Sequence, residues 1–155
     1  MISEIEIVKA KVSDIKRIIE IEELSYSDPW PREIFMVDYL FNSSSEYFVA
    51  KMHGKIVGFI GIWYEGKKLH VINVAVHPDE RGKGIGTNLL LFAINLAKEL
   101  GYEAVYLEAR KSNVSAQRLY RKLGFKEKEE LKGYYQDGED GIRMELSVPK
   151  EEKES

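Results

Sequence analysis

Hydrophobic and polar residues alternate in some segments of this chain and recur at helical spacing in others, and each change of period marks a predicted element. The first half opens with an alternating strand, continues with two amphipathic helices, and then holds three β-rich runs. Short turns separate these runs, which favours an antiparallel meander. The predicted strands lie at 4–9, 47–52, 56–64 and 69–76, and the second helix is predicted to begin at Pro31.

The second half of the chain changes to longer apolar runs. Residues 87–100 are apolar almost all round, which predicts a largely buried helix. The elements predicted after it are a strand at 104–109, a short helix at 115–123 and two strands at 125–130 and 142–148. A strand–helix–strand connection pairs its strands in parallel, whereas hairpins pair theirs antiparallel. The order β-α-α-β-β-β-α-β-α-β-β therefore predicts an α/β fold, with a mixed sheet of about seven strands and helices on both faces.

Composition narrows the class of protein. With 155 residues, 44% hydrophobic and 32% charged, the chain fits one domain, predicted over residues 1–149, with a charged, disordered tail at 150–155. The net charge of −3 argues against direct contact with nucleic acid or with an anionic membrane. The first residues lack the pattern of a signal peptide, and no apolar run has the length of a membrane helix, so a cytoplasmic location is expected.

Residue content also limits the chemistry. The chain has no cysteine, which excludes disulfides, thiolate metal sites and a cysteine nucleophile. The three histidines, His53, His70 and His77, are scattered and lack the spacing of metal ligands, so no metal is expected.

A glycine-rich segment joins the last strand of the meander to the buried helix. Gly82, Gly84 and Gly86 stand at alternate positions, and Thr87 follows them. Backbone N–H groups in such a loop, together with the dipole of a helix N-terminus, are suited to bind a phosphate or pyrophosphate, although a flexible turn could have the same composition. The spacing matches neither the P-loop nor the dinucleotide-binding fingerprint, which disfavours both kinds of nucleotide site.

The same segment, Arg81-Gly-Lys-Gly-Ile-Gly86, resembles the Arg/Gln-x-x-Gly-x-Gly/Ala acetyl-CoA loop of the GNAT N-acetyltransferases. The predicted order of elements resembles the fold of that family up to about residue 149. The resemblance implies that the amides of residues 82–87 hold the pyrophosphate, and that residues 74–76 pair through their backbone with the pantetheine arm. The cofactor-binding residues that it implies are Val74, Ala75, Val76, Arg81, Gly82, Lys83, Gly84, Ile85, Gly86, Thr87, Asn113 and Tyr120. Arg81 and Lys83 would add charge there, or would be solvated loop residues.

Three further segments resemble the protein N-terminal acetyltransferases within that family, which include the bacterial RimI type and archaeal relatives. They are Asp28-Pro29-Trp30, Leu107-Glu108-Ala109-Arg110 with Ser112-Asn113, and Gly133-Tyr134-Tyr135 with Asp137-Gly138-Glu139-Asp140. Gly141 and Lys132 depart from the pattern of this subfamily, which usually has alanine and arginine there.

The resemblance also implies roles for individual side chains. Glu108 matches the position of the general base, and Tyr120 matches that of the acid that protonates the departing CoA thiolate. The residues implied to contact the substrate are Tyr26, Trp30, Tyr134 and Tyr135. From the residues alone, Glu108 could equally be the outward residue of an alternating strand, and Tyr120 a core aromatic. Asn113 is ordinarily a helix cap, a role that can coexist with cofactor contact.

The implied reaction is transfer of an acetyl group from acetyl-CoA to the α-amino group of a protein, by direct attack of the amine in a ternary complex. An α-amino group has a pKa of about 7.7–8.0 and a lysine side chain about 10.4, so the α-amine needs only mild help from a base. The substrate would be a ribosomal-protein alanine or a broader set of N-termini, and the enzyme a monomer or a homodimer. Two alternatives stay open: acetylation of a small amine or a lysine side chain, and a catalytically silent acyl-CoA-binding module.

Overall fold

Helices and strands joined by short turns make up most of residues 4–149, the part of the chain that the computed structural model describes. The predicted tail at 150–155 lies outside the described residues. Every predicted element is present, and its ends lie within two residues of the prediction. The elements are β1 (Ile5–Lys9), α1 (Ile15–Ser25), α2 (Arg32–Phe41), β2 (Ser45–Met52), β3 (Lys55–Glu65), β4 (Lys68–Val76), α3 (Ile85–Leu100), β5 (Ala104–Arg110), α4 (Val114–Lys122), β6 (Lys126–Leu131) and β7 (Gly141–Ser147), with 3-10 turns at Val12–Asp14 and Pro78–Glu80.

The strands hydrogen-bond in the order β1-β2-β3-β4-β5-β7-β6, which confirms the predicted mixed sheet of seven strands. β1–β2, β2–β3, β5–β7 and β6–β7 pair antiparallel. β4 and β5 pair in parallel over three residues, with His70 opposite Tyr106. This short parallel ladder fixes which side chains of β4 are neighbours of those of β5.

The helix α3 is buried along one side rather than all round. Ile85, Leu89 and Ala93, spaced four residues apart, are buried. Leu91 and Leu100 are 41% and 56% exposed, so the prediction of a largely buried helix holds for one face only. Within residues 4–149, no helix is long and apolar enough to cross a membrane.

The described residues divide into two compact units, each with its own apolar core. The first comprises residues 4–63 and 73–93. Its aromatic core places the Phe35 ring 6.1 Å from that of Tyr47 and 6.0 Å from that of Phe59. The buried carboxylate of Asp38, on α2, accepts hydrogen bonds from the Tyr47 hydroxyl at 2.7 Å and from Trp63 Nε1 at 3.0 Å. These bonds tie α2 to β2 and β3.

The second unit comprises residues 64–72 and 94–149 of the described chain. Val105 and Leu107 on β5 are buried with Phe125 and Met144, and they form the core of this unit. Glu108 follows Leu107, so strand alternation turns its side chain to the opposite face from Leu107. The prediction that the whole chain is one domain stays a prediction.

Candidate active site

The glycine-rich loop of the first unit contains two left-handed residues. Gly82 and Gly84 both adopt φ +80°, a left-handed conformation that side chains disfavour. A Cβ atom at either position would meet nothing within 4 Å, so the backbone angle, rather than a lack of space, requires glycine. Helix α3 begins at Ile85, directly after these two turns. Left-handed glycines before a helix N-terminus make the loop suited to an anion.

The two basic residues of this loop are bonded within it. Arg81 Nε donates to the Val76 carbonyl oxygen at 3.2 Å. Lys83 Nζ lies 2.6 Å from Glu80 Oε2 in an exposed ion pair. Arg81 therefore fastens the loop to the end of β4, which is the strand predicted to meet the pantetheine arm.

The loop between α1 and α2 is fastened to the same strand. The Tyr26 hydroxyl donates to the Val74 carbonyl oxygen at 2.7 Å. The backbone N–H of Trp30 donates to Glu22 Oε2 at 3.0 Å, and the Trp30 ring lies 5.3 Å from that of Phe35. The structure thus bonds Tyr26, a predicted substrate residue, to Val74, a predicted cofactor residue of β4. It also links Trp30 to the same strand through Glu22 and Asn73. Glu22 was not among the predicted site residues.

In the second unit, Glu108 is the centre of a charged cluster. Its side chain is 8% exposed. Oε1 lies 2.7 Å from His70 Nε2, and Oε2 accepts a hydrogen bond from Arg143 Nε at 2.9 Å. His70 Nδ1 lies 2.9 Å from Glu65 Oε1, and Glu65 Oε2 accepts from the Tyr106 hydroxyl at 2.5 Å. The imidazole also stacks on the Tyr106 ring at 4.1 Å.

Both ring nitrogens of His70 face carboxylate oxygens. A nitrogen bonded to an ionised carboxylate must carry a hydrogen, so His70 is the imidazolium whenever Glu65 and Glu108 are both ionised. Burial alone would lower the pKa of His70, but the hydrogen bonds and charges of Glu108 and Glu65 outweigh burial and raise this pKa above its usual value. The cluster therefore holds a positively charged imidazolium one hydrogen bond away from Glu108.

The free energy of unfolding should depend on whether His70 carries this positive charge. Because the pKa of His70 is raised on folding, its stabilising contribution is complete below the unfolded value of about 6.5 and is lost as pH rises through the folded pKa. His70→Gln should therefore lower the free energy of unfolding by about 2–3 kcal/mol at pH 6, the range for bonds to charged groups, and by less at pH 9. Urea denaturation at pH 6–9 measures the difference.

His53→Gln is the matched control, because that side chain is 74% exposed and should give a small difference at every pH. A His70→Gln deficit that is the same at pH 6 and pH 9 would show that His70 is not held as the cation.

Tyr120 lies on α4, and its side chain is buried. Burial, with the negative charge of Glu108, raises the pKa of Tyr120 to about 12. Its hydroxyl therefore keeps its proton at neutral pH and can donate it. Asn113 Oδ1 accepts from Ala116 N–H at 3.1 Å, so the predicted cap of α4 is confirmed.

The loop between β6 and β7, which carries Tyr134 and Tyr135, is clamped by Arg110. The Arg110 guanidinium lies 4.2 Å from the centre of the Tyr135 ring and donates to Asp137 at 2.8 Å and to Glu139 at 2.9 Å. Hydrogen bonds from Ser112 and Arg110 lower the pKa of Glu139 to about 2. The clamp holds the two tyrosine rings 5.0 Å apart, edge to face.

The structure explains why glycine rather than the alanine usual in the subfamily stands at position 141. A Cβ atom there would lie 3.2 Å from ring carbons of both Tyr134 and Tyr135. Glycine therefore lets the two rings approach the start of β7 more closely than alanine would.

His70, Glu65 and Arg143 are the members of the Glu108 cluster that sequence reasoning missed. His70 was considered only as a metal ligand. The available signal was the predicted strand–helix–strand unit, which makes β4 and β5 parallel neighbours. Its register, however, decides that His70 stands opposite Tyr106, two residues from Glu108.

Comparison with known proteins identifies the family of the chain. Residues 15–125 match the model of the Acetyltransferase (GNAT) family. The chain is 39% identical over 148 residues to the N-alpha-acetyltransferase of Sulfurisphaera tokodaii, covering 87% of this chain and 88% of that one. It is 31% identical over 143 residues to the ribosomal protein bS18-alanine N-acetyltransferase of Escherichia coli, covering 89% and 94%.

Solved structures extend the likeness to the fold. The crystal structure of the ribosomal-protein-S18-alanine N-acetyltransferase from Escherichia coli superposes with a TM-score of 0.88 at 28% identity, covering 96% of this chain and 97% of that one. Ard1 from Thermoplasma volcanium gives a TM-score of 0.86 at 25% identity, covering 96% and 100%. Family match, identity and fold agree, and the chain belongs to the GNAT acetyltransferase family.

Proposed function

We propose that this protein transfers the acetyl group of acetyl-CoA to the α-amino group of protein N-termini. The observation that carries the proposal is the 39% identity, over most of both chains, to a relative named N-alpha-acetyltransferase. A second named relative acts on a ribosomal-protein alanine, so alanine N-termini are the first substrates to test. The clamped tyrosine loop supports a substrate that enters as a chain end.

The pyrophosphate and the pantetheine arm of the cofactor are assigned to the first unit. The Gly82 and Gly84 turns would take the pyrophosphate, with Arg81 bonded beside them. The pantetheine amides would pair with β4, where the Val74 carbonyl already accepts one hydrogen bond from Tyr26. A carbonyl oxygen has two lone pairs, so the same atom can accept from the cofactor as well.

The chemistry is assigned to the second unit. The amine must lose a proton before it attacks the thioester carbonyl carbon and forms the C–N bond. We assign that proton to Glu108, whose two oxygens are oriented by His70 and Arg143. When the tetrahedral intermediate collapses, the C–S bond breaks and the thiolate takes a proton from the Tyr120 hydroxyl. The nitrogen gives up its second proton as the amide forms, and this proton restores the Tyr120 hydroxyl.

Glu65 orients the imidazole that in turn orients Glu108. Its side chain is 41% exposed and is bonded to the imidazole that is bonded to Glu108. The imidazolium carries a hydrogen on both ring nitrogens, so it has no free nitrogen to take up the proton that Glu108 accepts. That proton passes from Glu108 to water once the product has left.

An assay with three kinds of amine tests the proposed function. Peptides with free N-terminal Ala, Ser or Met, an N-blocked lysine peptide, and spermidine would each be incubated with acetyl-CoA, and the products located by mass spectrometry. Acetylation confined to free N-termini is expected. Preference for the lysine peptide or for spermidine would overturn the proposal, and tight CoA binding without turnover would identify a silent binding module.

Tyr135→Ala should weaken peptide use while leaving the cofactor site intact. The change removes the ring that Arg110 holds, and with it a contact to the first residues of the substrate. We expect the KM for peptide to rise about tenfold, with kcat and the Kd for CoA within about twofold. Steady-state kinetics and calorimetry measure the two effects.

Tyr102→Ala is the control, because it removes a tyrosine of the same unit that stacks on Tyr64 at 5.6 Å. A collapse of CoA affinity in Tyr135→Ala, with an unchanged peptide KM, would make Tyr135 structural.

A further inference from the structure

Glu22 is a buried carboxylate for which the proposed chemistry has no use. It lies on α1 and is 2% exposed, on a helix face whose other buried residues include Ile18, Ile19 and Ile21. Burial raises its pKa, and hydrogen bonds from Trp30 and Asn73 oppose that rise. A carboxylate held in an apolar face destabilises the fold unless its bonds offset the loss of water. The bonds that Glu22 accepts are therefore the place to look for its role.

The two oxygens of Glu22 are bonded to two different parts of the first unit. Oε2 accepts the backbone N–H of Trp30 at 3.0 Å, and Oε1 accepts Asn73 Nδ2 at 2.8 Å. Both donors are neutral groups. The carboxylate therefore acts as a double acceptor that links the α1–α2 loop to β4.

The next residue of β4 holds the other end of the loop. The Tyr26 hydroxyl is bonded to the Val74 carbonyl, adjacent to Asn73. Glu22 and Tyr26 thus fasten the loop at both ends to consecutive residues of one strand. Removing the Glu22 bonds would release the Trp30 N–H from its link to the strand and leave the Tyr26–Val74 bond in place.

We propose that Glu22 is a positioning residue for substrate binding, because it sets the α1–α2 loop at a fixed distance from the strand on which the acetyl donor lies. This inference rests on the proposed function, in which Tyr26 and Trp30 contact the amine substrate. Glu22 acts through these residues and touches no reacting atom.

Two variants separate positioning from charge. Glu22→Met keeps the length of the side chain and removes both acceptors, so the Trp30 N–H and Asn73 lose their partner. Glu22→Gln removes the charge but keeps one acceptor oxygen for Trp30, and its amide can donate to Asn73 once the Asn73 amide rotates. A positioning role predicts that glutamine restores what methionine loses.

Glu22→Met should raise the KM for peptide about ten- to a hundredfold, because two buried donors lose hydrogen bonds to a carboxylate. The Kd for CoA should stay within about twofold of the wild-type value. Glu22→Gln should stay within about threefold of the wild-type KM. Amide hydrogen exchange of Trp30, followed by NMR without substrate, should be about tenfold faster or more in Glu22→Met and near wild type in Glu22→Gln.

Glu23→Met is the matched control. Glu23 is the next residue of α1, 46% exposed in a 3.5 Å ion pair with Arg32, and its loss should leave the exchange of Trp30 and the peptide KM unchanged. Asn73→Ala removes the strand end of the link and serves if Glu22→Met fails to fold. It should raise the peptide KM and speed Trp30 exchange by a smaller factor than Glu22→Met.

The proposal would be overturned if Glu22→Met changed neither the hydrogen exchange of Trp30 nor the peptide KM. If Glu22→Met does not fold, the same result in Asn73→Ala would overturn it. So would a Glu22→Gln variant as impaired as Glu22→Met with normal Trp30 exchange, because that pattern means Glu22 acts by its charge. The exchange measurement needs no substrate, and the kinetics use whichever amine the wild type acetylates. Failure of the N-terminal peptides in the wild type would therefore count against the proposed function alone.

Discussion

Glu108→Gln should lower kcat at neutral pH by about 10²- to 10⁴-fold, the usual contribution of a positioned base. The amide keeps the shape of the side chain, and it removes the group that accepts the proton of the ammonium. The Kd for CoA should hold, because no proposed cofactor contact changes. The loss should shrink as pH rises past about 8, where solvent deprotonates an α-amine without help.

Tyr120→Phe should show the opposite pH dependence. This substitution removes the hydroxyl that protonates the thiolate. The resulting loss of kcat therefore does not depend on whether the amine is protonated. Because the pKa of Tyr120 is raised to about 12, the wild-type hydroxyl stays protonated up to at least pH 10. The Tyr120→Phe deficit should therefore stay constant while that of Glu108→Gln narrows.

The pair of pH–rate profiles, at saturating and limiting peptide, distinguishes the two roles. Glu129→Gln is the control, because Glu129 is bonded to the same Arg143 at 3.5 Å and is 57% exposed. Wild-type rates in Glu108→Gln at neutral pH would mean that the base lies elsewhere or that bulk water suffices.

Gly84→Val should abolish the stabilisation of the fold by acetyl-CoA. Wild-type protein with ligand at about 100 times its Kd should gain about 2.7 kcal/mol in the free energy of unfolding. Valine at φ +80° is strained by its β-branched side chain, so the loop should leave the conformation that presents its amides. Thermal denaturation with and without acetyl-CoA measures the gain, which should fall to near zero in the variant.

Gly54→Val controls for backbone strain. Gly54 has φ +78°, its Cβ would also meet nothing within 4 Å, and it lies in the β2–β3 turn of the same unit. Without ligand, Gly54→Val should lose about as much stability as Gly84→Val. With acetyl-CoA, Gly54→Val should still gain stability as the wild type does. A Gly84→Val variant that binds acetyl-CoA as tightly as the wild type would refute the assignment of the loop.

Local patterns explain why so much of the fold was predictable. Strand alternation, helical spacing and glycine turns act over a few residues, and each of the elements between Ile5 and Ser147 was found to within two residues of its ends. The left-handed angles of Gly82 and Gly84 follow from the same local rule. The identities of Glu108 and Tyr120 as candidate site residues came from family resemblance, since alternation alone left Glu108 an outward strand residue.

The sequence by itself determined the order of elements, the mixed sheet, the glycine loop and the face of β5 on which Glu108 lies. Only the tertiary structure decided what Glu108 and Glu22 touch. His70 is 38 residues from Glu108, and their bond depends on the register of two parallel strands, which no local period records. Glu22 joins Trp30 and Asn73 because a helix, a loop and a strand converge on one buried carboxylate. Periodicity reports which side of an element is buried, whereas hydrogen-bond partners depend on distances between elements that are far apart in the chain.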